Sequence, residues 1–319
     1  MNEFLIGLKE AVLAAEKDGP LWTSDLLTGY SGEKLVGFLQ RSVKLLDGDA
    51  SLYLEVGVFQ GLTLLSTAAA VPGVRAVGID DFSQFDPQRI NRTTFESRRS
   101  GLGLKNVTLV NADYEDALEA LHGTIGERKV GVYFVDGPHD YRSQLMCLLL
   151  AKPYLSEHAV IVVDDCNYEH VRQANSDFLR TNPEFRLFFE AYTPAHPNNM
   201  TDSQLECARR GWWNGVNVIV RDPEGLLEPI CPDTPRGRDL FLATHEVQSH
   251  RGAYGVMHAL RLADSLMRGR VIKAVRSAFG FARSIRRNRY QEFGAFESLN
   301  TNSDKLTTGA LNPALADSC

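Results

Sequence analysis

The segment that decides the fold is LEVGVFQG, residues 54–61, which closes a short apolar run and leads into a helical stretch. It carries one carboxylate and two closely spaced glycines. Glycine lets a backbone approach a ligand closely because no Cβ intervenes. In an open parallel sheet, ligands bind beyond the carboxyl ends of the strands, near the switch point where such a turn lies. The segment therefore predicts a ligand site at the end of the first strand.

Six further apolar runs follow the first one, SLYLEV at 51–56. They are VRAVGID, NVTLVNA, VGVYFVD, AVIVVDD, FRLFFEAY and GVNVIVRD, at 74–80, 106–112, 130–136, 159–165, 185–192 and 215–222. Short apolar runs separated by helix-length segments are typical of central strands covered by helices on both faces. The sequence predicts an α/β fold built on a doubly wound, seven-stranded sheet.

The chain divides into segments of different character. We expect residues 1–48 to form helices that cover the sheet and residues 49–225 to form the main domain. Within that domain, 193–214 is either a long hairpin loop or a small lid. Residues 226–297 form a helical extension, because apolar positions recur there at helical spacing. Residues 298–319 are polar without periodicity, which indicates a disordered tail.

Charge is distributed unevenly along the 319 residues. The formal net charge is −6, but residues 261–290 hold nine Lys or Arg and one acid, so that stretch carries +8 and the remainder −14. An acidic body disfavours nucleic acid, whose phosphates require clustered Lys and Arg. The basic stretch could lie on an anionic membrane, hold an acidic partner, or pack on its own domain or a second subunit. A homo-oligomer through the N- or C-terminal helices is one expectation.

Five widely spaced cysteines, without a Cys-x-x-Cys pair, argue against a zinc site and a disulfide framework. The first residues read as an amphipathic helix and not as a secretion signal. No apolar run reaches the roughly 20 residues that span a bilayer. We therefore expect a cytoplasmic protein without a transmembrane segment.

Acids follow the predicted strands one after another. They are Asp80 and Asp81, Asp113, Asp136, and the pair Asp164 and Asp165, in addition to Glu55. A single acid after a strand is most often a solvated turn or a helix cap. Acids at five consecutive strand ends instead predict a lined site.

The first turn also limits the class of ligand. A dinucleotide site needs G-x-G-x-x-G, but Phe59 stands where the second glycine would be. Glu55 would repel a pyrophosphate, whereas it suits a ligand with a cationic amino-acid end. S-adenosylmethionine has such an end. We expect Glu55, Gly57 and Gly61 to hold that cofactor.

Later strand ends would complete the cofactor site. A carboxylate after the second strand is placed to accept both ribose hydroxyls, and we favour Asp80 over Asp81. Asp113 could accept the adenine amino group, and Asp136 would border the cofactor at the fourth strand.

Three motifs carry a family resemblance: LEVGVFQGLT at 54–63, VDGPHDY at 135–141 and VVDD at 162–165. With them, residues 31–222 resemble class I S-adenosylmethionine-dependent methyltransferases, in particular the group that includes the macrocin-type sugar O-methyltransferases. The resemblance implies a Rossmann-like sheet, mostly parallel with an antiparallel last strand. Thr63 replaces the usual serine, Pro138 interrupts the histidine motif, and the chain after Asp222 has no recognised counterpart.

Several of these relatives hold a divalent ion, which here implies Asp136, Asp164 and Asp165 as ligands of Mg²⁺. Mg²⁺ takes about six oxygen ligands and can lower the pKa of a bound hydroxyl. The alternative is that one acid bonds a helix N-terminus and another the substrate.

Catalysis is assigned to His139 together with Asp136. An imidazole titrates near neutrality, so His139 is the candidate general base. A histidine after a strand can equally bond a neighbouring loop or the cofactor carboxylate.

The resulting functional prediction is O-methylation of a hydroxyl on a small-molecule or sugar acceptor. Two alternatives remain. One is a metal-dependent hydroxylase on the same fold, resembling the cephalosporin type. The other is a noncatalytic S-adenosylmethionine-binding protein.

Overall fold

The computed structural model describes residues 2–86, 88–237, 256–288 and 309–315. One eight-stranded sheet has the order β3-β2-β1-β4-β5-β7-β6-β8. Its strands are β1 (Ser51–Val56), β2 (Ala76–Ile79), β3 (Val107–Val110), β4 (Lys129–Val135), β5 (Leu155–Val163), β6 (Phe185–Ala191), β7 (Val216–Arg221) and β8 (Ala310–Leu311).

Helices cover both faces of this sheet, which buries its β-branched and aromatic side chains on both sides. The helices of the described residues, in chain order, are α1 (Glu3–Asp18), α2 (Glu33–Lys44), α3 (Leu62–Ala70), α4 (Asn91–Gly101), α5 (Tyr114–Glu119), α6 (Leu121–Ile125), α7 (Tyr141–Ala151), α8 (Glu169–Thr181), α9 (Asp202–Arg210), α10 (Val256–Met267) and α11 (Val271–Asn288). One apolar layer contains α1, α2 and α3. The other contains α5 to α8.

The switch point of the sheet lies at β1. This strand pairs in parallel with β2 on one side and with β4 on the other. The chain leaves β1 toward one face and β4 toward the other, so a crevice opens above their carboxyl ends. β7 runs antiparallel between β5 and β6. The predicted doubly wound sheet with an antiparallel strand is confirmed, and all seven predicted strands are present.

The eighth strand corrects the prediction for the end of the chain. Residues 298–319 were expected to be disordered, but β8 pairs with β6, with Leu311 opposite Phe189. Asn312 is buried, and its Nδ2 donates to the Leu187 and Glu228 carbonyls at 2.8 and 3.0 Å. A polar side chain thus satisfies backbone groups at the sheet edge, which composition does not reveal. The rest of that tail lies outside the described residues.

Segment 193–214 contains a helix and is not a plain loop. It holds a short 3-10 turn (Pro197–Asn199) and α9. Thr201 and Gln204 form a capping box at the start of α9. Of the helical extension predicted for 226–297, residues 256–288 form the pair α10 and α11, whereas the described residues 226–237 are not helical. Among the described residues, no helix is long and apolar enough to cross a membrane.

Candidate active site

A cavity of about 570 Å³ opens at the carboxyl ends of β1 to β5. The residues that line it include Gly57, Phe59, Thr63, Asp80, Asp81, Ala112, Asp113, Asp136, His139, Asp164, Asp165, Tyr168, His196 and Trp213. Every strand end that the sequence marked with an acid contributes to this lining. Glu55 and Gly61 are the two predicted site residues that do not line it.

Gly57 brings the end of β1 against the end of β4. Its φ is +88°, and a Cβ added there would lie 1.8 Å from the Asp136 carbonyl oxygen. A side chain is therefore excluded both by backbone conformation and by space. Gly61, with φ +85°, begins α3 behind the cavity wall.

Glu55 is buried beneath the turn. Its carboxyl accepts hydrogen bonds from Thr63 Oγ1 at 2.7 Å and from the Tyr53 hydroxyl. Burial raises the pKa of Glu55 to about 8, against the lowering effect of these two bonds. This position ties the first turn of α3 to β1 and does not present the carboxyl to the cavity.

Asp80 holds the backbone of two turns. Its Oδ2 accepts the amides of Val58 and Phe59, each at 2.8 Å, and its Oδ1 accepts the amide of Phe82 at 2.7 Å. Burial raises its pKa, although these three amides favour the charged form. Asp81 is exposed and also lines the cavity, with Oδ1 accepting the Ser83 amide at 2.9 Å. Two carboxylates thus lie at the end of β2.

Asp113 combines a cavity position with a structural contact. Its side chain caps α5 by accepting the Glu115 amide at 2.8 Å. The adjacent Ala112 lines the same wall.

His139 and Asp165 form a pair at the other side of the cavity. His139 Nε2 lies 2.7 Å from Asp165 Oδ2. Asn214 Nδ2 donates to the other oxygen, Oδ1, at 2.5 Å. Burial alone would raise the pKa of Asp165, but the charge and hydrogen bond of His139 and the bond from Asn214 outweigh it and lower the pKa to about 2. Asp165 is therefore an anion that orients the imidazole.

Asp136 and Asp164 behave differently from Asp165. Burial, followed by the charges of neighbouring carboxylates, raises the pKa of both. Ligand atoms of Asp136, His139 and Asp165 lie within 4.8 Å of one another. Asp164 is outside that group, and its Oδ1 accepts the Asp165 amide at 2.8 Å. The structure thus gathers a histidine with two acids, whereas the sequence predicted three acids.

This donor set fits a divalent cation. A cation would offset the repulsion between carboxylates that, after burial, raises the pKa of Asp136. An imidazole nitrogen beside carboxylates suits Mn²⁺ or a similar transition metal better than Mg²⁺, which prefers oxygen ligands alone.

Backbone strain is concentrated around the cavity. Among the described residues, six that are not glycine have positive φ, and five of them line it: Phe59, Phe82, Phe85, Asp165 and Trp213. Such conformations cost about 1–3 kcal/mol each and persist where the surroundings enforce them. At Asp165, with φ +57°, the strain turns the carboxylate toward His139.

Sequence analysis missed two polar members of the site. Asn214 precedes β7 and reaches Asp165 only through the antiparallel pairing of β5 and β7. His196 lines the cavity and its ring lies 5.8 Å from that of Tyr168. Neither residue belongs to a recognisable sequence motif. Their one shared feature in the sequence is that both lie in the segment that joins β6 to β7.

Comparison with known proteins agrees with this architecture. Residues 54–166 match a family model described as a methyltransferase domain. This matched segment runs from the glycine turn through the acids that follow β5. No curated protein matches the chain.

Distant likenesses to solved structures are also found. The O-methyltransferase TomG from Streptomyces achromogenes, in complex with SAM, is 18% identical, covers 70% of this chain and 91% of its own, and has a TM-score of 0.45. The O-methyltransferase from Bacillus cereus, in complex with SAH, is 14% identical over 70% and 92% of the two chains, with a TM-score of 0.45. Cofactor-bound Rv0187 from MTB is 18% identical over 70% and 91%, with a TM-score of 0.42.

The doubly wound sheet and the glycine turn at its switch point thus accompany a segment that matches a methyltransferase domain.

Proposed function

We propose that this enzyme transfers the methyl group of S-adenosylmethionine to a hydroxyl of a small molecule or sugar. The observation that carries the proposal is the His139–Asp165 pair on the cavity wall, 2.7 Å apart and braced by Asn214. An imidazole held by an anionic carboxylate is a general base for an alcohol.

The proposed reaction assigns a role to each ring nitrogen of His139. Asp165 holds the proton on Nε2, and Nδ1 is assigned as the acceptor of the substrate hydroxyl proton. The oxygen attacks the methyl carbon, the carbon–sulfur bond breaks, and its electron pair leaves with sulfur as the neutral thioether. Asp165 stabilises the imidazolium that forms. Alignment of the two reactants supplies a further part of the rate, since positioning can contribute about 7–11 kcal/mol.

The opposite wall of the cavity holds the cofactor in this proposal. Gly57 admits the cofactor to the backbone of the turn, and Asp113 reaches its adenine. Asp80 and Asp81 both remain candidates for the ribose hydroxyls. Asp81 is favoured by its exposure, since three amides already occupy Asp80. Glu55 and Gly61 act indirectly, by shaping the turn between β1 and α3.

A divalent cation would be held either by Asp136, His139 and Asp165 or by the three acids Asp136, Asp164 and Asp165. When bound, it would polarise the acceptor hydroxyl. His139 cannot offer the same nitrogen to a cation and to Asp165, so the two arrangements make different predictions for removal of metal.

Calorimetric titration with S-adenosylmethionine and S-adenosylhomocysteine tests the proposal, beside methyl transfer to a panel of phenols, catechols and sugar nucleotides. Asp81→Ala should lose at least tenfold in cofactor affinity. Asp80→Asn, which keeps one acceptor oxygen for the turn, should lose less. Glu119→Gln, an acid outside the cavity lining, serves as the matched control.

The outcomes separate the alternatives. Cofactor binding without turnover on any acceptor would favour a binding protein. Metal-dependent oxidation without methyl transfer would favour the hydroxylase. Absence of binding to either ligand would overturn the proposal.

Three further predictions accompany this function. The main domain spans 49–225, with 1–48 as its helical cover and 226–297 as an appendage. The protein acts in the cytoplasm, and its N- or C-terminal helices are the surfaces through which it could form a homo-oligomer.

A further inference from the structure

Helices α10 and α11 form a hairpin that packs closely along one side only. Ser265 and Ala274 are buried where the two helices meet. A Cβ added to Gly280 would lie 2.5 Å from His258 Nδ1, so the helices also touch at that level. Within the part of the chain that the structure describes, the apolar side chains outside this contact are exposed.

Seven large apolar residues of the hairpin are between 49% and 81% exposed. They are Leu260, Leu266, Met267, Val271, Ile272, Val275 and Phe279. Four of them surround the turn between the helices, which itself contains Arg268 and Arg270. Burial of such side chains in an apolar medium is favourable by the area removed from water. The turn is thus an exposed apolar tip that also carries two guanidinium groups.

The exposed side of α11 is divided into two neighbouring arcs. Successive residues of an α-helix are about 100° apart. On this scale Val271, Ile272, Val275 and Phe279 fall within an arc of about 100°. Lys273, Arg276 and Arg283 occupy the arc beside it. A large apolar arc next to a basic one is typical of a helix that lies in a membrane interface.

Charge selects the kind of surface that fits. Residues 256–288 hold eight Lys or Arg and one acid, Asp264, which pairs with Arg268 at 2.7 Å. A net charge of +7 beside exposed apolar side chains complements a surface that is negatively charged and has an apolar layer just beneath it. Long Arg and Lys stems can reach phosphates while neighbouring apolar groups enter the acyl boundary.

We propose that the α10–α11 hairpin docks the enzyme on an anionic lipid bilayer, with the tip at 266–272 inserted and the basic arc on the headgroups. The inference is independent of the methyl acceptor. A second copy of the chain is the competing occupant, since the remainder of the sequence is acidic. The bilayer fits better because exposed apolar residues and arginines lie side by side at the tip.

Vesicle co-sedimentation of the full-length protein tests the proposal. The protein should bind phosphatidylcholine vesicles that contain phosphatidylglycerol at least tenfold more tightly than vesicles of phosphatidylcholine alone. Leu266→Asp/Ile272→Asp should reduce this binding at least tenfold. Leu13→Asp/Leu26→Asp, which changes two exposed leucines outside the hairpin, should leave it unchanged. Circular dichroism checks that both variants fold.

Two further measurements complete the design. Arg268→Gln/Arg270→Gln should weaken binding to the anionic vesicles and reduce its dependence on salt. Equal affinity for both vesicle types, no binding to either, or binding that the tip variant retains would each overturn the proposal. A dimer that forms without vesicles and dissociates in the tip variant would assign the hairpin to a second copy and also overturn it.

Discussion

His139 Nε2 lies 2.7 Å from Asp165 Oδ2. The second oxygen of that carboxylate is held by Asn214, from a different strand connection. A carboxylate fixed at both oxygens cannot rotate freely, so the imidazole it contacts is also fixed. The orientation of the proposed base therefore depends on the connection to β7 as well as on β4 and β5.

His139→Ala should lower kcat by roughly 10²- to 10⁴-fold, the usual contribution of a positioned base. Cofactor affinity should change little, because the proposed cofactor wall lies across the cavity. A steady-state methyl-transfer assay measures kcat, and calorimetry measures the affinity for the cofactor. His122→Ala, an exposed histidine outside the lining, is the control. An unchanged kcat would remove His139 from the mechanism.

Asn214→Ala should lower kcat about tenfold with a smaller effect on KM for the cofactor. The Asn214 bond helps to lower the pKa of Asp165 to about 2. Without that bond the pKa of Asp165 rises, so Asp165 becomes protonated at higher pH. The acidic limb of the plot of kcat against pH therefore shifts to higher pH. Asn198→Ala, another cavity residue, should leave the limb in place. A limb that moves equally in both variants contradicts the assignment.

Gly57→Ala should destabilise the fold by about 2 kcal/mol or more, since φ is positive and the added Cβ meets the Asp136 carbonyl. Chemical denaturation measures the loss, and calorimetry should show that cofactor binding weakens. Gly123→Ala is the matched control, because a Cβ there meets nothing within 4 Å. Equal stability of the two variants would show that the turn can relax.

Glu55→Gln should change how stability depends on pH. Burial raises the pKa of Glu55 to about 8, above its unfolded value. The folded state then binds the extra proton between the two values, so this group favours folding at low pH and its contribution is lost as pH rises through 8. Thermal unfolding from pH 5 to 9 should show the natural protein losing stability relative to the glutamine variant. A constant difference would indicate that Glu55 is ionised throughout.

Mn²⁺ should raise the unfolding temperature, since a ligand that binds only the folded state stabilises it. Asp136→Asn should abolish the increase, whereas Asp164→Asn should preserve it if His139 completes the ligand set. Because the pKa of Asp136 is raised, the cation must displace a proton, and its affinity should increase with pH. If Asp164→Asn instead abolished the rise in unfolding temperature, the ligand set would be the three acids Asp136, Asp164 and Asp165.

The sequence predicts the sheet well because its strands are buried on both faces and read as apolar runs. SLYLEV coincides with β1 at both ends. The predicted acids also meet at one cavity, since the carboxyl ends of parallel strands share an edge of the sheet. Among the predicted acids, the structure was needed to distinguish those that line the cavity, such as Asp81, from those with a structural role, such as Glu55.

What sequence reasoning could not reach depends on contacts between distant segments. Trp212 and Trp213 are adjacent, yet Trp212 packs between Phe38 and Phe189 while Trp213 lines the cavity. Tyr141, the last residue of the VDGPHDY motif, lies outside the lining, and its hydroxyl donates to Asp177 at 2.8 Å. Which of two neighbouring aromatics faces a ligand is decided by the positive φ of Trp213, and no local pattern encodes it.

The short strand β8 has a consequence for self-association. Without it, β6 would present the edge of the sheet, and an unpaired edge is a template on which another chain can add a strand. Leu311 and Asn312 occupy that edge, and the Leu315 carbonyl accepts a hydrogen bond from Lys9 Nζ of α1 at 2.8 Å. A chain shortened before residue 309 would keep its cavity and its proposed base, but β6 would become an unpaired edge strand. Residues 309–315 thus cover an edge on which another chain could add a strand, and none of them lines the cavity.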